Sequence, residues 1–284
     1  MAAIRDIRRH IRSISNIQKI TKTMEMVAAA RMRKTTAALL ASRPYAQLAW
    51  NLLLGLSTRT EHQLHSLLQA RPIRNVLVIL ITSDRGLCGS FNVGLIHKAL
   101  SLVTDKNTFH FLTVGKKGRD FLMRRGYHVI AEFSSLQAPV PFLQIMPIGQ
   151  IVISEYMAQK VDEVYIVYSN FVSNLVQKPS TLHLLPLRRE QVDKDAVTPF
   201  TYEPSPELVL STLVSRIIEY EIYAAVLESQ TSEFAARMIA MKNATENAEQ
   251  LIDDLTLSYN KARQESITKE LIELSTSQIV IEES

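Results

Sequence analysis

The stretch ELVLSTLVSRIIEYEIYAAVLESQTSEFAARMIAMKNATENAEQLIDDLTLSYNKARQESITKELIELSTSQIVIEES, at positions 207–284, contains neither glycine nor proline. Its apolar residues recur at heptad-like spacing, which predicts one continuous helix of roughly 117 Å at 1.5 Å per residue. Ser205-Pro206-Glu207 marks the start. Serine can accept a bond from a first-turn amide, proline brings a pre-set φ, and glutamate faces the positive helix end.

The other end of the chain has the same character. Residues 1–43 lack glycine and proline, and Ile4, Ile7, Ile11, Ile14, Ile17, Ile20, Met24 and Val27 predict one apolar stripe on a helix. The Ala-rich stretch 28–41 favours helix and permits a neighbouring helix to approach closely. Pro44 is expected to kink this helix and Gly55 to end it. Residues 1–45 carry a net charge of +8 and residues 207–284 a net of −8, so the two ends suit each other or oppositely charged partners. The opening MAAIRDIRRHIRSI has the Arg-rich amphipathic look of a transit peptide. Asp6 and continuation of the pattern past Ile20 favour a mature helix instead.

Between about 73 and 187 the pattern changes. Arg74–Ser83 (RNVLVILITS) is a β-branched run suited to a strand buried on both faces. Helix-like 90–103, strand-like 109–114, helix-like 116–125 ending at Gly126, strand-like 127–133, helix-like 148–160 and strand-like 163–168 follow. A last strand at 181–187 precedes a polar linker, 188–206. This alternation predicts a parallel α/β sheet. A domain of this size has a radius of gyration of about 14 Å, so a helix of this length must reach beyond it. Such a helix needs a partner, and the N-terminal helix is the available one. The expected fold is therefore α/β: a long antiparallel coiled coil of the N- and C-terminal helices plus a Rossmann-like α/β domain. Its parts are 1–58 (N-terminal coiled-coil helix), 73–200 (α/β foot) and 205–284 (C-terminal helix). The C-terminal helix is longer by about 30 residues, and that excess needs a different host. These features describe a shaft with a globular base and a tip buried in another protein.

Chemistry-bearing patterns are sparse. The single Cys88 rules out an intrachain disulfide and a multi-cysteine zinc site, and it suits a reducing compartment. No apolar run approaches the ~20 residues needed to cross a bilayer. The seven histidines show no H-E-x-x-H spacing, so no metal site is expected. Thr82–Ser90 (TSDRGLCGS) lies between a strand and a helix, where α/β proteins hold phosphate, yet matches neither G-x-x-x-x-G-K-[ST] nor G-x-G-x-x-G. A tight turn is expected there, Gly86 and Gly89 permitting close approach and Asp84 or Ser90 capping. Cys88 near His97 is expected to be inert. The basic N-terminal residues lack interleaved aromatics and face an acidic partner, which argues against nucleic acid. No catalytic residue, cofactor or metal is expected.

Four stretches together carry a resemblance: Ile20–Val27 with Arg31–Lys34, SDRGLCGSFN at 83–92, EFAARMIAMKNATEN at 233–247, and LTLSYNKARQESITKELIEL at 255–274. They closely resemble the gamma subunit of F-type ATP synthases, along essentially the whole chain. The resemblance implies a central rotor shaft inside a ring of three alpha and three beta subunits, with the α/β foot beside epsilon and the membrane c-ring. It implies coupling of ion flow to ATP synthesis or hydrolysis on beta by rotation, with no chemistry in the shaft. By matching positions it implies beta contacts at Met24, Arg31, Arg33 and Lys34, at Arg237, at Arg263 and Gln264, and at Thr268 and Glu273. The 188–206 linker is too short for the chloroplast-type regulatory insertion and has no cysteine. With the family pattern beginning almost at Met1, the expectation is a bacterial subunit, peripheral at the cytoplasmic face of the cell membrane. A nucleotide-dependent enzyme with a coiled-coil arm and a static coiled-coil scaffold are the other readings.

Overall fold

The computed structural model describes residues 2–57, 66–69, 71–187 and 206–282. They form two compact units, one of Ala28–Arg237 and one that joins Met1–Val27 to Met238–Ser284. Two helices supply residues to both: α1, Ala2–Ser57, and α5, Pro206–Glu282. The linker at 188–205, including the Ser205 cap, and His62 and His65 lie outside the described residues.

The larger unit is built on a five-stranded sheet of order β3-β2-β1-β4-β5. Its strands are β1 Val76–Ile81, β2 Phe109–Val114, β3 His128–Phe133, β4 Glu163–Phe171 and β5 Gln177–Leu185. All pairings are parallel except β4 with β5. Every residue of β1 is buried, because the strand is central and covered on both sides. Leu77, Ile79 and Ile81 join one apolar cluster with α4 (Met146–Met157) and with Val214, Ile217, Ile218 and Ile222 of α5. Val76, Val78 and Leu80 join the other, with α2 (Phe91–Leu100) and Leu122 of α3 (Lys116–Arg124). The period of two in a strand does this sorting.

The last strand begins at Gln177, earlier than the Thr181 start that the sequence suggests. β4 runs on to Phe171, and the short 172–176 connection lets β5 fold straight back on it. Pro179 is tolerated because β5 is an edge strand. α1 also departs from expectation, passing through Pro44 and Gly55 to Ser57. Contacts from α5 lie on both sides of the proline: the Tyr220 hydroxyl donates to the Ser42 carbonyl, and its ring centroid is 5.1 Å from that of Tyr45.

The expected close approach at Gly86 and Gly89 is absent: nothing lies within 4 Å of a Cβ at Gly89, and only the tip of Lys117 at 4.0 Å from one at Gly86. The tight point is Gly115, with φ +103°, where a Cβ would sit 2.1 Å from the Thr82 carbonyl oxygen. Here the turn after β2 crosses the end of β1.

In the smaller unit the expected apolar stripe is corrected. The half-buried or buried positions of α1 include Ile7, Ile11, Ile14, Gln18, Thr21 and Glu25, alternating steps of four and three. Ile20 is 59% exposed, and Ile17 and Val27 are exposed as well. The run Ile11, Ile14, Ile17, Ile20 advances by threes, and each step of three turns about 60° away from a 3.6-residue repeat. Two steps carry it off the face. On α5 the matching positions are Met238, Met241, Thr245, Ala248, Ile252, Leu255, Tyr259, Ala262 and Ser266. This period of 3.5 is that of a left-handed coiled coil. The Thr21 and Thr245 hydroxyls meet at 2.8 Å across it. Counting outward in antiparallel register brings Ile14 level with Ile252 and Ile11 level with Leu255. The ion pairs described in this unit, Asp6–Arg9, Lys22–Glu25 and Lys242–Glu246, all run within one helix. Apolar packing and the threonine pair, rather than opposite helix charges, make the described cross-helix contacts.

Gly115→Ala is expected to cost about 3 kcal/mol, by overpacking against the Thr82 backbone. Gly89→Ala meets only an unfavourable φ and costs about 1 kcal/mol. Urea unfolding of the two variants checks the order, and an equal loss would refute the close-approach argument. Thr21→Val alone is expected to cost about 1 kcal/mol, whereas the paired change Thr21→Val with Thr245→Val is neutral or stabilising. Circular dichroism melts of single and double variants decide this one.

Candidate functional site

The loop that leaves β1 occupies the place where doubly wound folds bind ligands, beyond the carboxyl ends of the strands. Here residues of the loop bind the start of α3. The Lys116 N–H donates to Asp84 Oδ1 at 3.1 Å, the Lys117 N–H to the Ser83 carbonyl at 3.1 Å, and the Gly118 N–H to Thr82 Oγ1 at 2.9 Å. The first-turn amides of α3 are thus satisfied by residues 82–84. Asp84 does cap a helix, though it is α3 rather than the helix that follows it in sequence. Its other oxygen accepts the Ser135 N–H at 2.9 Å, tying the segment after β3 to the same point. Ser90 makes no side-chain cap bond to α2.

Asn92, on the first turn of α2, closes the loop. Its Oδ1 accepts the Ser83 N–H at 3.0 Å, and its Nδ2 donates to Ser83 Oγ at 2.8 Å and to Cys88 Sγ at 3.2 Å. Cys88 is buried, and burial pushes its thiol pKa up, away from the reactive thiolate. His97 is exposed, and the hydrogen bonds described for the Cys88 sulfur go to Ser83, Arg85 and Asn92 instead. Leu87, between Gly86 and Cys88, holds a φ of +64° with its side chain exposed. That is an unusual conformation for a γ-branched residue, and it presents an apolar side chain outward.

Arg237 binds this loop to α5. One guanidinium nitrogen donates to the carbonyls of Arg85 at 3.1 Å and Gly86 at 3.3 Å, and another to Glu233 Oε1 one turn earlier. The ion pair is shielded, with side chains 11% and 16% exposed. Burial raises the Glu233 pKa while Arg237 opposes that rise. The ring of Phe234 lies between two cations, 5.8 Å from the Arg31 guanidinium and 5.9 Å from that of Arg237. Around them a cleft of about 560 Å³ is lined by Arg31, Arg85, Lys116 and Arg237, with Asp84 and Glu233 as the acidic members. The arrangement positions charge and shape. No group of three or more potential metal ligands occurs among the described residues.

The sequence-predicted contact residues divide between the units. Arg31 and Arg237 meet around Phe234 in the larger unit, where Arg33 and Lys34 are exposed on the next turn of α1 and form no ion pair among the described residues. In the smaller unit Met24 is half-buried beside the seam, and Arg263, Gln264 and Thr268 are exposed on α5. The Thr268 hydroxyl donates to the Gln264 carbonyl at 2.9 Å. Glu273 falls within α5, and its side chain is outside those described. Sequence reasoning alone gives no role to Glu233, Phe234 or Asn92. The Glu233–Arg237 spacing of four, with the acid first, is a readable helix signal; Phe234 and Asn92 offer none without the fold.

Comparison with known proteins agrees in sequence and in fold. A family described as ATP synthase matches residues 3–278. The ATP synthase gamma chain of Roseiflexus castenholzii is 41% identical over 289 residues, covering 100% of both chains. That of Pelotomaculum thermopropionicum is 42% identical over 276 residues, covering 96% of this chain and 97% of its own. Among solved structures, a chain of the Euglena gracilis mitochondrial ATP synthase (OSCP/F1/c-ring, rotational state 3) superposes with a TM-score of 0.72 at 19% identity. The overlap covers 99% of this chain and 95% of that one. A chain from the central stalk and c-ring of the Tetrahymena thermophila enzyme gives 0.63 at 26% identity, over 79% of this chain and 99% of that one. Identity at this level along the full length, joined to a shared fold, leaves one conclusion: this chain belongs to the ATP synthase gamma-chain family.

Proposed function

We propose that this chain is the central-stalk rotor of a bacterial F-type ATP synthase, turning inside a ring of three alpha and three beta subunits. In this reading the helices at 1–58 and 205–284 form the shaft and 73–200 the foot, which rests on epsilon and the c-ring at the cytoplasmic face. The observation that carries the reading is the end of α5. Counting from the Thr21–Thr245 pair, the first residues of α1 reach only to about residue 264. Beyond that point Leu271 is 62% exposed, and Ile267 is exposed as well. A helix that carries exposed apolar residues past the reach of α1 calls for a host, and the pore of a subunit ring is a fitting one.

Arg31, Arg33 and Lys34 form the exposed cationic surface that an acidic loop of beta would read, with the shielded Arg237 close by across Phe234 and Met24 nearby in sequence. Arg263, Gln264, Thr268 and Glu273 would meet beta nearer the tip. The exposed Val172, Leu175 and Val176 at the β4–β5 turn suit docking of the foot on its neighbours. We assign no catalytic site to the chain itself; in this reading the bonds from residues 82–84 to the start of α3 hold the loop in place. No described helix is long and apolar enough to cross a membrane, which fits peripheral attachment. Rotation would work as differential contact: each beta subunit meets a different face and is biased towards a different nucleotide-binding state.

Native mass spectrometry of the complex purified through a tag on this chain is expected to give one copy with three alpha and three beta subunits. Recovery of the chain alone or as a self-assembled oligomer would overturn the rotor reading. Within the complex, reversing charge at Arg31, Arg33 and Lys34 together is expected to lower the protons pumped per ATP hydrolysed while the subunit stays folded and assembled. Undiminished pumping per ATP in that triple variant would remove these residues from the coupling surface.

A further inference from the structure

β2 and β3 are parallel neighbours, and their register sets His110 directly beside His128. The two rings meet edge to face, with centroids 5.0 Å apart and planes at 76°, and their Nδ1 atoms are 3.0 Å apart. Two neutral imidazoles can share one proton across that gap. The same gap is close to the separation of two nitrogens on one tetrahedral zinc ion, about 3.3 Å for bonds of about 2.05 Å. A rise of a few tenths of an ångström is within reach of two side-chain torsions, and both rings stand on hydrogen-bonded strands that fix their spacing.

We propose that His110 and His128 form a two-imidazole site for a borderline divalent cation of the zinc class, completed by water and clamping edge strand β3 to β2. Two observations support it. Glu155, on α4, acts on His110 as a nearby negative charge, and its side chain is only 17% exposed. Its carboxylate is held by Lys160 Nζ at 2.8 Å, so it stabilises a bound cation from outside the coordination sphere. Finally, β3 is an edge strand, paired on one side only, and a side-chain link to β2 adds to that single pairing.

The test uses the full chain with Zn²⁺ as the probe, followed through the ring resonances of all seven histidines by ¹H–¹⁵N NMR. The expected result is joint, saturable movement of the His110 and His128 rings. His128→Gln, a change at an exposed position, is expected to weaken this binding by about tenfold or more. His97→Gln, an exposed histidine on α2, leaves it unchanged. Rings of His110 and His128 that stay still at saturating Zn²⁺, or equal loss of affinity in His97→Gln and His128→Gln, would overturn the proposal and leave a proton-sharing pair.

Discussion

A helix of 77 residues cannot stand on its own propensity, and the rest of this structure follows from how α5 is partnered. In the larger unit Val214, Ile217, Ile218 and Ile222 serve as core for one face of the sheet, so this part of α5 is held as any packed helix is held. In the smaller unit the described residues include no strand, and α5 is partnered by α1. There the seam narrows to a strict alternation of threes and fours, the pattern that keeps two helices in register along their length. The two solutions need different sequences. Against the sheet α5 shows a broad apolar face interrupted by buried Ser229, Thr231 and Ser232; along the seam it shows single residues, including Met241, Thr245 and Ala248, flanked by charge.

The sheet has helices on both faces, and the loop after its central strand is bound internally. Thr82, Ser83 and Asp84 fill the donors at the start of α3, and Gly115 lets the backbone of the next turn close on Thr82. The loop that follows, 85–88, is then free to be gripped from the other side by Arg237. An internal carboxylate, that of Asp84, caps α3. The outcome is rigidity: one short loop joins β1, α2, α3, the segment after β3, and α5, and Leu87 is offered outward from it.

Much of this was legible beforehand. The unbroken C-terminal helix, the succession of strands along the chain and the double-sided burial of β1 follow from the absence of glycine and proline after Pro206, the alternation of patterns and the β-branched run at 74–83. The sequence misled where two signals of nearly equal period compete. Isoleucines spaced by three look like a stripe but rotate off the face, while Gln18 and Thr21, polar and unremarked, lie on it. The glycines of the loop were legible as special, yet the crowding sits at Gly115, against a Thr82 that only the pairing of β1 with β2 brings near. Arg31 and Arg237 were legible through resemblance alone. Their shared ring, Phe234, became visible only once antiparallel pairing brought the two helices side by side.

In a rotor, residues of the seam and residues of the surface carry different burdens. A rotor acts on a beta subunit only through the difference in contact energy between that subunit's states, since a contact equally good in every state shifts no population. Seam positions such as Ile14 and Ile252 keep the two helices together whichever beta subunit is faced, so their free energy contributes to stability and not to bias. Arg33, Lys34, Arg263 and Gln264 are exposed, and so are available to make contacts in one state that are lost in another. A tenfold preference among nucleotide-binding states needs about 1.4 kcal/mol of difference, a quantity that one or two charge-assisted hydrogen bonds can supply. A difference of that size in contacts made by the exposed face, on a pair of helices held together by their seam, is therefore enough to favour one nucleotide-binding state over another.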